Sequence, residues 1–173
     1  IAAGADVTAV DNSKPRLDIL KRNLDRLGMT ADLVRADGRT FRPRKAVDAV
    51  LIDAPCSATG TLRRRPDVLH HRAVADLAGL AAIQRELLAR AASWLSLGGR
   101  LIYATCSLQH EEGEAVVAEV TGAMKGKLAI DPVSTAEAGS FAPALTGDGC
   151  LRILPSDFTD IGGVDGFFIA RLQ

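Results

Sequence analysis

Aromatic residues, long apolar runs, a surplus of either charge and paired cysteines are all scarce in this chain. Its 173 residues include one Trp, one Tyr and five Phe, so aromatics make up 4%. No apolar stretch approaches the roughly 18 residues that a membrane span needs. No segment joins a basic start to an apolar centre as a secretory leader does. A soluble, cytoplasmic protein is the expectation. Lys and Arg number 21, as do Asp and Glu, so the formal net charge is zero, and bulk charge is silent about nucleic acid. The three cysteines, Cys56, Cys106 and Cys150, are an odd number at wide spacing, which is no disulfide framework. No CxxC occurs, and His70, His71 and His110 form no spaced set with the cysteines, so no metal site is expected. Also missing ahead of Asp11 are a Gly-rich loop of the GxGxxG kind and the strand that would carry it.

What is present reads as one α/β domain with a sizeable core. The opening Ile1-Ala2-Ala3-Gly4-Ala5 reads as a helix tail with a glycine cap, as if something preceded it. Asp6–Asp11 reads as a short strand ending in an acid. Ser13 and Pro15 then mark a helix start, and Leu17, Leu20, Leu24 and Leu27 give it one apolar stripe that Gly28 ends. Residues 31–36 read as a second strand, stopping at Asp37. Residues 47–52 read as a third, buried strand that stops at Asp53. Each acid alone suits a helix or turn cap. Side by side on adjacent parallel strands, the three would share one rim, where open α/β sheets bind ligands.

Charge is unevenly spread. Residues 14–72 hold fourteen Lys/Arg against seven Asp/Glu, and residues 111–165 hold three against ten. That asymmetry suits a basic face over an anionic polymer, and it equally suits ordinary solvated surface. Arg63-Arg64-Arg65 and His70-His71-Arg72 lie in a connecting stretch, read either as solvated loop or as contact to phosphates.

Two apolar strands end in thiols. The third strand runs into Asp53-Ala54-Pro55-Cys56-Ser57, and a strand over 100–105 runs into Cys106-Ser107. Either thiol could be a small buried hydrophobe, but polar Ser and Thr neighbours at strand ends favour chemistry. Spacing does not tell which thiol would attack. A helix over 80–95 (Leu80, Ile83, Leu87, Leu88, Ala91, Leu95) and another over 111–124 (Ala115, Val116, Ala118, Val120, Ala123) complete the pattern. Glu111, Glu112 and Glu114 fall in the first turns of the second helix, where negative charge is favoured. Residues 128–133 read as a sixth parallel strand, 134–150 as loop, and 151–154 with 167–172 as an antiparallel edge. Cys150 reads as a buried small hydrophobe.

Several of these motifs resemble those of the RNA cytosine-5 methyltransferases of the Nop2/Sun type, which include bacterial rRNA enzymes. They are Asp53-Ala54-Pro55-Cys56-Ser57-Ala58-Thr59-Gly60, Arg65-Pro66-Asp67, Tyr103-Ala104-Thr105-Cys106-Ser107, Glu111-Glu112-Gly113-Glu114 and Asp165-Gly166-Phe167-Phe168-Ile169-Ala170. The resemblance spans nearly the whole chain and implies a partial methyltransferase catalytic domain over residues 1–173. The implied fold is a Rossmann-like S-adenosylmethionine-dependent methyltransferase, a mostly parallel sheet with an antiparallel C-terminal strand, here without the first strand and Gly-rich loop. The resemblance makes Cys106 the nucleophile, Cys56 its assistant in release, and Asp53 the contact to the cytosine. It implies S-adenosyl-L-methionine near Asp11, Asp37, Gly38, Asp53 and Pro55, with Arg16 matching a basic residue of the early helix. The implied partner is RNA, rRNA in particular, with Arg63, Arg64, Arg65, His70, His71 and Arg72 as candidate contacts. Two other readings stay open: methylation of another nucleic-acid substrate, and an RNA-binding scaffold that lacks the cofactor loop.

Overall fold

The structure, a computed structural model, describes residue 1, residues 3–68 and residues 76–173. It divides into two compact units, Ile1–Pro43 and Arg44–Gln173, each with its own sheet.

The first unit is a β-α-β turn of chain. Strand β1 (Thr8–Asp11), helix α1 (Lys14–Leu27) and strand β2 (Asp32–Arg35) follow in order. The strands pair in parallel, Thr8 opposite Asp32 and Asp11 opposite Arg35. The expected start and stop signals operate. The Ser13 side chain accepts from the Arg16 N–H, Pro15 sits in the first turn, and Gly28 closes the helix in the left-handed region at φ 64°. Only Gly adopts that conformation without a Cβ penalty. Leu17 and Leu24 are buried, whereas Leu27, in the same stripe, is half exposed.

The second unit carries β3 (Val47–Asp53), α2 (Leu77–Ala92), β4 (Leu95–Thr105), α3 (Glu114–Ala123), the short α4 (Thr135–Ala138), β5 (Leu151–Ile153) and β6 (Phe167–Leu172). Strand order is β3-β4-β6-β5. β3 and β4 are parallel, and β6 runs antiparallel to both β4 and β5. The reversed C-terminal strand is thus as the sequence predicts. The core gathers Leu88 and Ala91 from α2, Leu101 and Tyr103 from β4, Val116, Val117 and Val120 from α3, and Phe168, Ala170 and Leu172 from β6. Each such large side chain contributes on the order of 1.5–3 kcal/mol on burial.

Several expectations need correction. β3 is not buried on both faces: it forms an edge of its sheet, and Leu51 is 72% exposed. α2 starts at Leu77, capped by the Asp76 carboxylate accepting from the Gly79 N–H, and stops at Ala92; Leu95 already belongs to β4. In α3 it is Val117, not Ala118, that enters the core. Residues 128–133 are not a parallel strand. Ala129 and Asp131 donate backbone hydrogen bonds to Gln173 and Arg171, an isolated antiparallel bridge at Ile130. The next donor in that register, the Val133 N–H, turns instead to the Gly149 carbonyl, and β5 takes over pairing with β6 at Ile169. Within 134–150, Ser134 and Glu137 form a reciprocal capping box at the start of α4.

Candidate active site

Parallel pairing of β3 and β4 sets the geometry. Asp53, the last residue of β3, lies in register with Ala104, two residues before Cys106. Beyond the strands, the Ala54 N–H still bonds the Ala104 carbonyl at 2.9 Å. The two chains then turn away together, and Cys56 Sγ comes to 3.5 Å from Cys106 Sγ. Neither thiol is in a disulfide; Cys56 is buried and Cys106 partly exposed. Asp53 is exposed at the same strand ends. The three residues expected to carry chemistry are therefore brought to one rim of this unit.

The hydrogen bond with Cys106, burial and the Cys106 charge together push the Cys56 thiol well above the ordinary range, in that order of size. A thiol so placed favours its protonated form, and either sulfur can donate in the contact between them. Cys150 is 1% exposed and behaves as the expected buried hydrophobe. Burial, helped by the Asp148 charge, pushes its thiol up to about 12.

The thiol loops are tied together by a polar cluster that hydrophobic periodicity could not reveal. Glu112 is fully buried. Its carboxylate accepts from the Ser57 N–H at 2.9 Å, from Ser57 Oγ at 2.5 Å, from Ser107 Oγ at 2.5 Å and from Gln84 Nε2 at 3.1 Å. Gln84 also donates to the Pro55 carbonyl at 2.8 Å. Tyr103 Oη donates to the Glu112 carbonyl at 2.7 Å. Its phenol is pushed up by burial first, then by the charges of Cys56 and Glu112. Arg152, paired with Glu114, donates to the Ser107 carbonyl at 2.8 Å. The expectation that Glu112 falls in the first turns of α3 needs correction. Residues 110–112 form a separate 3-10 turn, and α3 begins only after Gly113. That break turns Glu112 inward. A Cβ at position 113 would lie 2.9 Å from the Phe168 ring, so the turn needs glycine.

Gly60 seals the loop after Cys56. Its N–H bonds the Cys106 carbonyl at 2.9 Å, and its carbonyl accepts from the Gly166 N–H at 2.8 Å. Nearby, Arg64 forms a fork onto the Asp165 carboxylate, with Nε 2.9 Å from both oxygens, and holds that carboxyl below its usual range. Arg64 is thereby a tie to the glycine turn, while Arg63 and Arg65 are exposed. His70, His71 and Arg72 lie outside the described residues.

In the first unit, Asp11 and Asp37 sit at the carboxyl ends of β1 and β2. Asp11 accepts from the Ser13 N–H at 2.7 Å and from Arg16 Nε and Nη2 at 2.8 Å each; the Arg16 hydrogen bond is the main cause that lowers its pKa. Asp37 accepts from Arg39 Nη2 at 2.7 Å and from the Arg39 N–H at 2.9 Å, with the same consequence. Gly38 is half-buried beside it. Among the described residues, no group of His, Cys, Asp and Glu could hold a metal, and no helix is long and apolar enough to cross a membrane.

A mixed sheet with a reversed last strand places the chain among the Rossmann-like methyltransferases. A methyltransferase homolog protein from Pyrococcus horikoshii superposes with a TM-score of 0.72 at 28% identity, covering 97% of this chain and 53% of that one. The structure of NSun6 from the same organism, solved with SFG, gives 0.76 at 29% identity, over 98% of this chain and 41% of the other. More narrowly, the chain belongs to the 16S rRNA methyltransferase RsmB/F family, matched over residues 1–173. Ribosomal RNA small subunit methyltransferase B of Sodalis glossinidius is 41% identical over 99% of this chain and 37% of its own length. Methyltransferase F of Klebsiella pneumoniae is 36% identical over 96% of this chain and 35% of its own. The chain thus spans little more than a third of these curated relatives.

Proposed function

We propose that this protein methylates C5 of a cytosine in RNA, ribosomal RNA in particular, using S-adenosylmethionine and a transient bond between Cys106 Sγ and C6 of the base. The observation that carries the reading is the pair of strand-end thiols 3.5 Å apart, one partly exposed and one buried with its proton held. The family and the names of the relatives supply the substrate class.

Cytosine C5 is a weak nucleophile. Addition of the Cys106 thiolate to C6 moves the ring's electrons onto C5. Asp53 at the same rim serves the N3/N4 edge of the base, donating to N3 when protonated or accepting from the exocyclic amine when ionised. When bound, S-adenosylmethionine supplies the methyl group as a sulfonium electrophile. Loss of the C5 proton then restores the ring and breaks the Sγ–C6 bond. Cys56 suits that last step for a physical reason. Its proton is held chiefly by the hydrogen bond to Cys106 and, after burial, by that neighbour's charge. When Cys106 becomes a neutral thioether its charge is gone and its sulfur is a weaker acceptor, so the Cys56 thiol is held less tightly at the stage that needs a base. The target base must be unpaired or turned out of its stack to meet the rim. Arg63 and Arg65, exposed just after the thiol loop, suit phosphate contact.

For the cofactor, the donor set of the first unit fits. Asp11 and Asp37 are partly exposed carboxylates at strand ends, suited to ribose hydroxyls and an adenine amine. Their present partners, Arg16 and Arg39, have side chains 67% and 41% exposed, so exchanging them for a ligand costs little. Gly38, beside Asp37, is the third residue of this unit proposed to line the cofactor. The test uses the thiols. With S-adenosylmethionine and cytosine-containing RNA, Cys56→Ala accumulates a denaturation-resistant protein–RNA adduct and Cys106→Ala forms none. An adduct in Cys106→Ala, or its absence in Cys56→Ala, overturns the reading.

A further inference from the structure

We infer that Glu112 is a positioning residue that sets the separation and aim of the two reacting thiols. The inference rests on the thiol chemistry proposed above and assigns a task to a residue which that chemistry does not touch.

Four features carry it. Glu112 bonds the residue directly after each cysteine: Ser57 through both N–H and Oγ, and Ser107 through Oγ. One oxygen, Oε2, takes both hydroxyls, so the two loops are referred to a single atom. Gln84 bonds the other oxygen and also the carbonyl of Pro55, directly before Cys56, which brackets that cysteine on both sides. All four side chains are buried: Glu112 and Gln84 with Ser107 at 0% and Ser57 at 4% exposure.

A buried carboxylate is a poor device for stability alone. Desolvation opposes it, and apolar replacements of similar volume often serve as well or better. What such a cluster supplies is geometry: fixed donors and acceptors with few alternative arrangements. Geometry is what two thiols acting in sequence on one base require, because a misplacement near 1 Å costs on the order of 100-fold in rate. The Glu112 carboxylate bonds the residues beside the cysteines, so it acts on the sulfurs through the serines.

The test uses the full-length protein with Glu112→Gln and, as a milder variant, Ser107→Ala. An amide NH2 placed where Oε2 now accepts from two hydroxyls makes both serines turn from donating to accepting. Glu112→Gln is expected to lower kcat about 100-fold with KM for RNA and for S-adenosylmethionine within about 3-fold, and Ser107→Ala to lower kcat less, in the same pattern. An independent readout needs no methyl transfer. Diamide accepts two electrons and two protons from Cys56 and Cys106 as they close to a disulfide; closure is expected to slow about 10-fold or more in Glu112→Gln while wild type closes readily. Should Glu112→Gln fail to fold, Ser107→Ala decides on the same two readouts. Folded variants with wild-type kcat and closure rate, or with a raised KM and unchanged kcat, overturn the inference. A wild type that closes its disulfide but transfers no methyl to RNA overturns the proposed function instead, and the closure rates still judge the positioning.

Discussion

Gly60→Ala is the sharpest test of the loop architecture. A Cβ built at that position meets the Gly166 carbonyl oxygen at 2.2 Å, its carbon at 2.7 Å and the Cys106 carbonyl oxygen at 2.9 Å. All three are backbone atoms, so no side chain can swing aside. Relief requires the loop after Cys56 to move away from the Cys106 carbonyl and from Gly166, breaking the 2.9 and 2.8 Å bonds that Gly60 makes to them. Overpacking costs about 1–3 kcal/mol, and each buried backbone group left unpaired adds about 1–3 kcal/mol. A total loss of at least about 3 kcal/mol follows, a large part of the ~5–15 kcal/mol that keeps a domain folded. The matched control is Gly122→Ala in α3. There a Cβ meets nothing within 4 Å, and the helix gains up to about 0.5–1 kcal/mol from the same chemical change. Urea denaturation followed by circular dichroism reads both. Opposite signs are expected, and a Gly60→Ala protein as stable as wild type refutes the close-packing argument.

Two further predictions concern charge. Glu137 is held down to about 2 by Arg171 first and by Ser134 second, against an ordinary value of 4.5. Its contribution is therefore complete above pH 4.5 and is lost as pH falls from there through about 2; an NMR titration of the Glu137 carboxyl with a midpoint above 4.5 contradicts this. Charge reversal at Arg63 and Arg65 is expected to weaken RNA binding and flatten its salt dependence, by roughly 0.7–0.9 in log–log slope for each phosphate no longer neutralised. An unchanged slope removes them from the RNA interface.

Much of the frame was legible because local chemistry determines it. Ser13, Pro15 and Gly28 delimit α1 through contacts no more than a few residues away. The run Phe167–Leu172 alternates buried and half-buried residues and was readable as a strand for that reason. The failures share a different cause. Residues 128–133 have strand-like composition, but their partner is the far end of β6, and beyond Arg171 that strand pairs with β5 instead. Gln84 lies on the buried side of α2 amid Ala81, Leu88 and Ala91, where an apolar count passes over it. Glu112 reads as a helix-start charge because two of its partners, Ser57 and Gln84, are 55 and 28 residues away. Polar residues that find their complement across the fold leave no periodic trace. The thiols were visible as strand ends, but their 3.5 Å separation came only from parallel pairing of β3 with β4.

The seam between β4 and β6 has a consequence for how the molecule is made. Translation delivers both cysteines by residue 106, yet Phe168 opposite Thr105, Gly166 on Gly60 and Asp165 beneath Arg64 are all encoded some sixty positions later. A nascent chain carrying both thiols therefore has an unpaired β4 edge and an unclamped loop. Pairing of β3 with β4 can set the two sulfurs in register early, but the β6 flank and the clamp on the Gly60 loop form only after the stretch through Leu172 has left the ribosome.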